Sequence, residues 1–180
     1  MVSIYLAEGF EEIEAVSALD VLRRGEVDVQ FVSTTGNKLV KGAHGVLFEA
    51  DVLFDETTAL ESEMHVLPGG MPGALNLQNH EGLKHVLCEA YNKGAKLAAI
   101  CAAPMVLAAH GLLEGKCATI YPGMEQYLGS AIISENPIVI DGNIITGQGP
   151  AYAAAFGLSL LEELRGGAIA KEVARGMLYA

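Results

Sequence analysis

Cys101 ends the apolar run Leu97-Ala98-Ala99-Ile100 and is followed at once by Ala102-Ala103-Pro104. Proline is favoured in a first helical turn, where its missing N–H costs nothing. The spacing therefore predicts a strand-to-helix elbow with a thiol at the bend. This resembles a nucleophile elbow, although the G-x-S-x-G glycines are absent. A helix start carries partial positive charge, which stabilises a thiolate, and the neighbouring backbone N–H groups can hold an oxyanion. A buried structural cysteine fits the same position equally well.

Two further segments could serve such a thiol. Leu67-Pro68-Gly69-Gly70 halts a second apolar run, and glycines there let backbone approach a ligand closely. Gly70 is the expected source of a second oxyanion donor; a plain loop glycine pair is the alternative. No Gly-Lys-Ser/Thr follows, so this is not a phosphate loop. Glu8-Gly9-Phe10-Glu11-Glu12-Ile13-Glu14 is dense in acid. Glu11 and Glu12 suit the first turn of a helix by charge alone. Glu14 differs, because its helical neighbours would be Ser17, Ala18 and Val21, a small and mostly apolar face. A half-buried carboxyl there would hold its proton more tightly and could pass one on; the alternative is a solvated glutamate. Cys88 and Cys117 read as core or near-surface thiols. There is no CxxC, and His80 and His85 are five apart, off one helix face. No metal is expected.

These residues must be positioned by elements. Val2–Ala7, Val27–Val32, Met64–Leu67, Leu97–Ile100 and Cys117–Tyr121 read as strands, and 36–50 as a small hairpin. Ile138–Ile140 and Ile144–Ile145 flank Asp141-Gly142-Asn143 as another hairpin. Helical spacing follows Glu8-Gly9, with Ile13, Val16, Leu19 and Leu22 ahead of Arg23-Arg24-Gly25. Further helices are expected over Leu83–Tyr91, Pro104–Ala109, Tyr152–Leu164 and Lys171–Leu178. Short apolar runs alternating with helices predict an α/β domain, a mostly parallel sheet covered on both faces. Sites in such sheets lie beyond the carboxyl ends of the strands, where Cys101, Gly70 and the acidic segment all fall. The 180 residues read as one domain without linker or repeat, long enough to bury a full core. A net charge of −11 with no basic stripe argues against nucleic acid and anionic membranes as partners. No apolar run approaches the length of a membrane helix and no basic region precedes the first strand, so a reducing cytoplasm is expected.

Together the segments resemble the ThiJ/PfpI superfamily, in the branch of the parkinsonism-associated protein deglycase and its bacterial relatives. The matching stretches are Glu8-Gly-Phe-Glu-Glu-Ile-Glu14, Asp20-Val-Leu-Arg-Arg24, Val66-Leu-Pro-Gly-Gly70, Ala99-Ile-Cys-Ala-Ala-Pro104, Gly115-Lys-Cys-Ala-Thr119 and Gly147-Gln-Gly-Pro150. The resemblance implies a flavodoxin-like three-layer sandwich and a homodimer. It implies that Cys101 is the nucleophilic, oxidation-sensitive cysteine, that Glu14 is its protonated partner, and that the N–H groups of Gly70 and Ala102 are oxyanion donors. It further implies cofactor-free action on small α-oxoaldehydes or on glycated amino groups, or alternatively a redox-sensing or chaperone role through oxidation of Cys101. Two departures matter. The protease-like branch has histidine after the cysteine, where this chain has Ala102, which argues against a protease. The deglycase branch often has histidine in a Thr-x-His-Pro-like stretch, where this chain has Thr119-Ile120-Tyr121-Pro122. Tyr121 can donate a hydrogen bond but is a poor base at neutral pH; packing beside Pro122 is the other reading. His44 lies on a loop that approaches the partner's site in family dimers, and is a further accessory candidate. No phosphate-binding motif supports the thiazole-synthesis label attached to the superfamily.

Overall fold

Every side chain from Val2 to Leu6 is buried, and so is every one from Met64 to Leu67. Strands buried on both faces belong inside a parallel sheet between helical layers. The computed structural model describes residues 1–179. In chain order the elements are β1 (Val2–Leu6), α1 (Glu12–Arg24), β2 (Val29–Ser33), β3 (Leu39–Lys41), β4 (Leu47–Glu49), β5 (Val52–Leu53), α2 (Glu56–Ala59), β6 (Met64–Leu67) and α3 (Gly73–Gln78). There follow α4 (Glu81–Asn92), β7 (Lys96–Ile100), α5 (Pro104–Ala109), β8 (Cys117–Ala118), β9 (Ile132–Ile133), β10 (Ile138–Asp141), β11 (Ile144–Gly147), α6 (Ala153–Arg165) and α7 (Gly167–Gly176).

The main sheet has the order β10-β11-β7-β6-β1-β2-β5. All its pairings are parallel except the β10–β11 hairpin. Successive side chains divide between two cores, as the two-residue period of a strand requires. Ile4, Leu6, Ala98 and Ile100 pack with Ala18 and Val21 of α1 and Phe156 and Leu160 of α6. Tyr5, Leu97 and Ala99 pack on the other face with Leu77 of α3, Leu87 of α4 and Val106 of α5. The fold is thus the expected flavodoxin-like α/β sandwich. Among the described residues no helix is long and apolar enough to cross a membrane.

Three local expectations differ. The stripe Ile13, Val16, Leu19, Leu22 is only partly the core face of α1: Leu22 is in the core and Leu19 packs against it, but Val16 is exposed. Ile13 is 57% exposed, while Glu14, Ala15, Ala18, Val21 and Leu22 face inward. The helix is rotated because α6 approaches it through Gly157, where an added Cβ would lie 3.0 Å from Val21 Cβ; close approach there selects small residues. The strand expected over Cys117–Tyr121 pairs only at Cys117–Ala118, in a separate small sheet with β9. Finally, α3 was not expected: Pro72 at its N-cap makes no side-chain capping bond, so the usual start signal is missing.

Candidate active site

The strand order reverses between β1 and β6, which opens the crevice where ligands bind in such sheets. Three segments meet there: the acidic segment after β1, the Gly69-Gly70 turn after β6, and the Cys101 turn after β7. They are laced together by backbone. Glu11 N–H donates to Gly69 C=O at 2.9 Å, and Gly73 N–H donates to Gly9 C=O at 3.2 Å. Cys101 N–H donates to Gly147 C=O at 2.9 Å, tying the elbow to β11.

Cys101 is 9% exposed and holds φ at +63°, one of three non-glycine residues described in the left-handed region. That conformation costs a β-carbon residue of the order of 1–3 kcal/mol and persists only where the surroundings enforce it. Cys101, Ala102 and Ala103 form the turn, and α5 starts at Pro104 as anticipated.

Glu14 is 1% exposed, deeper than the half-buried position expected. Glu11 at the N-cap of α1 accepts from Glu14 N–H at 2.8 Å and so fixes the turn that carries the Glu14 side chain. Gly69 N–H donates to Glu14 Oε2 at 2.7 Å. The other oxygen, Oε1, is buried without a protein partner, on the carboxyl that couples to the Cys101 thiol. Burial pushes the Glu14 carboxyl up to about 7; the charge of Glu11 adds to the rise, and the Gly69 and Cys101 hydrogen bonds oppose it. Gly69 has no room for a side chain: an added Cβ would lie 2.6 Å from Cys101 Cβ and 2.8 Å from Glu14 Oε2.

The sequence-based account of the thiol needs correction. A helix start was to make it acidic, but α5 has only six residues and begins three residues after Cys101. The first influence on the thiol is burial, which raises its pKa, and an ionised Glu14 raises it further. The N–H groups of Gly70 and Ala102 hydrogen-bond towards the sulfur and pull the other way. A carboxylate and a thiolate would repel each other in so small a buried space, so the two groups titrate as a coupled pair, the carboxyl losing its proton near 7 and the thiol keeping its own well above that.

Of the accessory candidates, Tyr121 is brought to the elbow by its backbone: its N–H donates to Cys101 C=O at 2.9 Å. Its ring is 47% exposed and lines a surface hollow of about 480 Å³ with Pro122, Gln148, Pro150 and Tyr152. His44 sits on the β3–β4 hairpin and engages Glu12, with its N–H 2.8 Å from Oε1 and its Nδ1 2.8 Å from Oε2. Within the described chain it makes no hydrogen bond to Cys101. Two contributions were missed by sequence reasoning. Gly69 makes the room and the hydrogen bond for Glu14, and the glycine pair was its signal, although attention fell on Gly70. The burial of Glu11 and Glu12 had no signal, since charge at a helix start accounts for both without it.

The chain matches the DJ-1/PfpI family over residues 1–163. It belongs to that family. Protein DJ-1alpha of Drosophila melanogaster is 40% identical over 179 residues, covering 98% of this chain and 82% of that protein. The Parkinson disease protein 7 homolog of Danio rerio is 34% identical over 174 residues, covering 94% and 92%. Among solved structures, oxidized Toxoplasma gondii DJ-1 superposes with a TM-score of 0.94 at 35% identity, covering 99% of this chain and 98% of its own. Drosophila melanogaster DJ-1beta gives a TM-score of 0.92 at 36% identity, covering 99% and 97%. In this family member the elbow thiol, the buried carboxyl and the glycine turn therefore sit on the family's own fold.

Proposed function

We propose that the chain is a cofactor-free, cysteine-dependent enzyme acting on reactive α-oxoaldehydes, free or as adducts on amino groups, and that it serves in stress protection. The observation that carries this reading is the buried Glu14 carboxyl, with one oxygen unbonded, coupled to a thiol that two backbone N–H groups also address. Transfer of a proton from the thiol to the ionised carboxyl as sulfur attacks supplies both states that such chemistry needs. As sulfur adds to the aldehyde carbon, the carbonyl oxygen becomes an alkoxide, held by the N–H groups of Gly70 and Ala102 and then protonated. Glu14, with a pKa near the working pH, removes the proton from that carbon and returns one to the neighbouring carbon. The product is a thioester of a 2-hydroxy acid. Water cleaves it, restoring the thiol, so methylglyoxal plus water becomes lactic acid with no net oxidation. We expect Cys101→Ala to abolish lactate formation from methylglyoxal, and Glu14→Gln to lower kcat roughly 10²–10⁴-fold. Turnover retained in Cys101→Ala would overturn the mechanism.

A second reading is redox sensing. It is favoured by one specific observation, that the Toxoplasma gondii relative is an oxidized form. Peroxide would convert the Cys101 thiol to sulfenic acid with release of water, and a second equivalent would give sulfinic acid beside Glu14. Mass spectrometry after mild peroxide is expected to find sulfinate confined to Cys101; equal oxidation of Cys88 and Cys117 would count against it. We further propose a homodimer in the cytoplasm, with neither nucleic acid nor membrane as a partner. Exposed Ile13 and Val16 on one face of α1 support the dimer, and the net charge of −11 supports the two exclusions.

A further inference from the structure

A second group of ligating atoms lies outside the thiol pair, where the β3–β4 hairpin meets the start of α1. Glu11 and Glu12 are only 5% and 8% exposed, and carboxylates are seldom so buried unless they are paired, hydrogen-bonded or bound to a metal. Glu12 is taken up wholly by His44, through the backbone N–H on one oxygen and the imidazole on the other. Glu11 spends Oε2 on capping α1. Its Oε1 accepts no hydrogen bond among the described residues and faces His44 Nδ1 at 3.9 Å. That oxygen, on a side chain otherwise largely buried, thus faces the same nitrogen that Glu12 already holds.

One ligand atom each from Glu11, Glu12 and His44 lies within 4.8 Å of the other two. Zinc sits about 2.0–2.2 Å from imidazole nitrogen and carboxylate oxygen, so tetrahedral donors are about 3.3–3.6 Å apart. The separations of 2.8 Å and 3.9 Å bracket that range, and the exposed imidazole can swing to equalise them. The backbone is already in place: Gly9 N–H donates to Lys41 C=O and Ala43 N–H to Phe10 C=O, both at 2.8 Å. Sequence spacing could not disclose the group, because 32 residues separate Glu12 from His44.

We propose that Glu11, Glu12 and His44 bind a divalent transition-metal cation of the zinc type. One imidazole nitrogen with two carboxylate oxygens suits zinc and its neighbours better than the all-oxygen preference of magnesium or calcium. The remaining coordination positions open to water on the His44 side. On binding, the imidazole presents its nitrogen lone pair to the ion, and any proton it shared with Glu12 leaves to solvent.

Calorimetric titration of zinc chloride into the protein carrying Cys88→Ser, Cys101→Ala and Cys117→Ser tests this without competing thiols. One ion per chain is expected. His44→Ala and Glu11→Gln should each weaken binding roughly 10–100-fold, the scale on which metal sites respond to disturbed ligation. His85→Ala removes a separate histidine–glutamate pair, with Glu56 at 3.4 Å, and should change nothing. Cobalt added in place of zinc should give a visible absorption band that disappears in His44→Ala. His44 is exposed and glutamine keeps the helix-capping oxygen, so circular dichroism should show both variants folded. Absence of zinc uptake, or uptake that both variants leave unchanged, would overturn the proposal.

Discussion

At the scale of single residues, Glu14 shows how position converts an ordinary carboxylic acid into a proton store. Burial raises its pKa from 4.5 to about 7. The sign of the stability effect follows from proton counting. Between those two values the folded protein keeps the proton and the unfolded chain loses it. The contribution is therefore fully present below about 4.5 and is lost as pH rises through about 7. A rise of that size corresponds to about 3 kcal/mol at most. Glu14→Gln keeps an acceptor for Gly69 N–H and cannot ionise. Its stability relative to the native chain should grow by up to that amount between pH 4.5 and pH 8, read by urea denaturation with chelator present. A pH-independent difference would mean that Glu14 is ionised throughout. At pH 8 the variant should be more stable yet roughly 10²–10⁴-fold slower, the trade-off between stability and activity that the proposed role of Glu14 entails.

At the scale of elements, the site is a junction of three turns, and Gly69 is where they come nearest. Gly69→Ala should destabilise the fold by about 1–3 kcal/mol, as overpacking of a tight core does, because its Cβ would meet Cys101 Cβ and Ile100 C=O as well as Glu14. Thermal unfolding measures the first effect. Lactate formation should fall by more than stability alone explains, since the substitution parts Glu14 from the thiol; native kcat in a folded variant would refute the junction. How far this was legible in the sequence depends on the range of the forces involved. Cys101 was legible because an apolar run, a sharp stop and Pro104 are local signals. Gly70 and the acidic segment were legible because strand ends share one edge of a parallel sheet. The depth of Glu14 was only partly so: its small neighbours were visible, but the rotation of α1 comes from α6 at Gly157, more than a hundred positions away in the chain. Packing between distant helices overrode the apparent stripe of Ile13 and Val16. The clasp of His44 on Glu12 left no periodic trace at all, since a hairpin brings it there.

At the scale of the whole molecule, the same rotation leaves apolar surface without a neighbour. Ile13 and Val16 stand one helical turn apart on α1, and both are exposed. The hairpin held against the start of that helix exposes Val46 and Leu47. Apolar side chains gathered in one region of a monomer's surface commonly mark an interface, and a closed twofold dimer would set each α1 against a second copy of this same surface. Ile13→Arg is then a sharp probe. Within one chain the side chain is mostly in water, so the substitution should change monomer stability by no more than about 0.5 kcal/mol. In a twofold seam it would place two guanidinium groups in an apolar contact, each without a partner, at a cost of several kcal/mol. Sedimentation velocity should find the native chain at twice its monomer mass and the variant at monomer mass, with far-ultraviolet circular dichroism unchanged. A native chain that sediments as a monomer would remove the dimer; a variant that stays dimeric would move the interface away from α1.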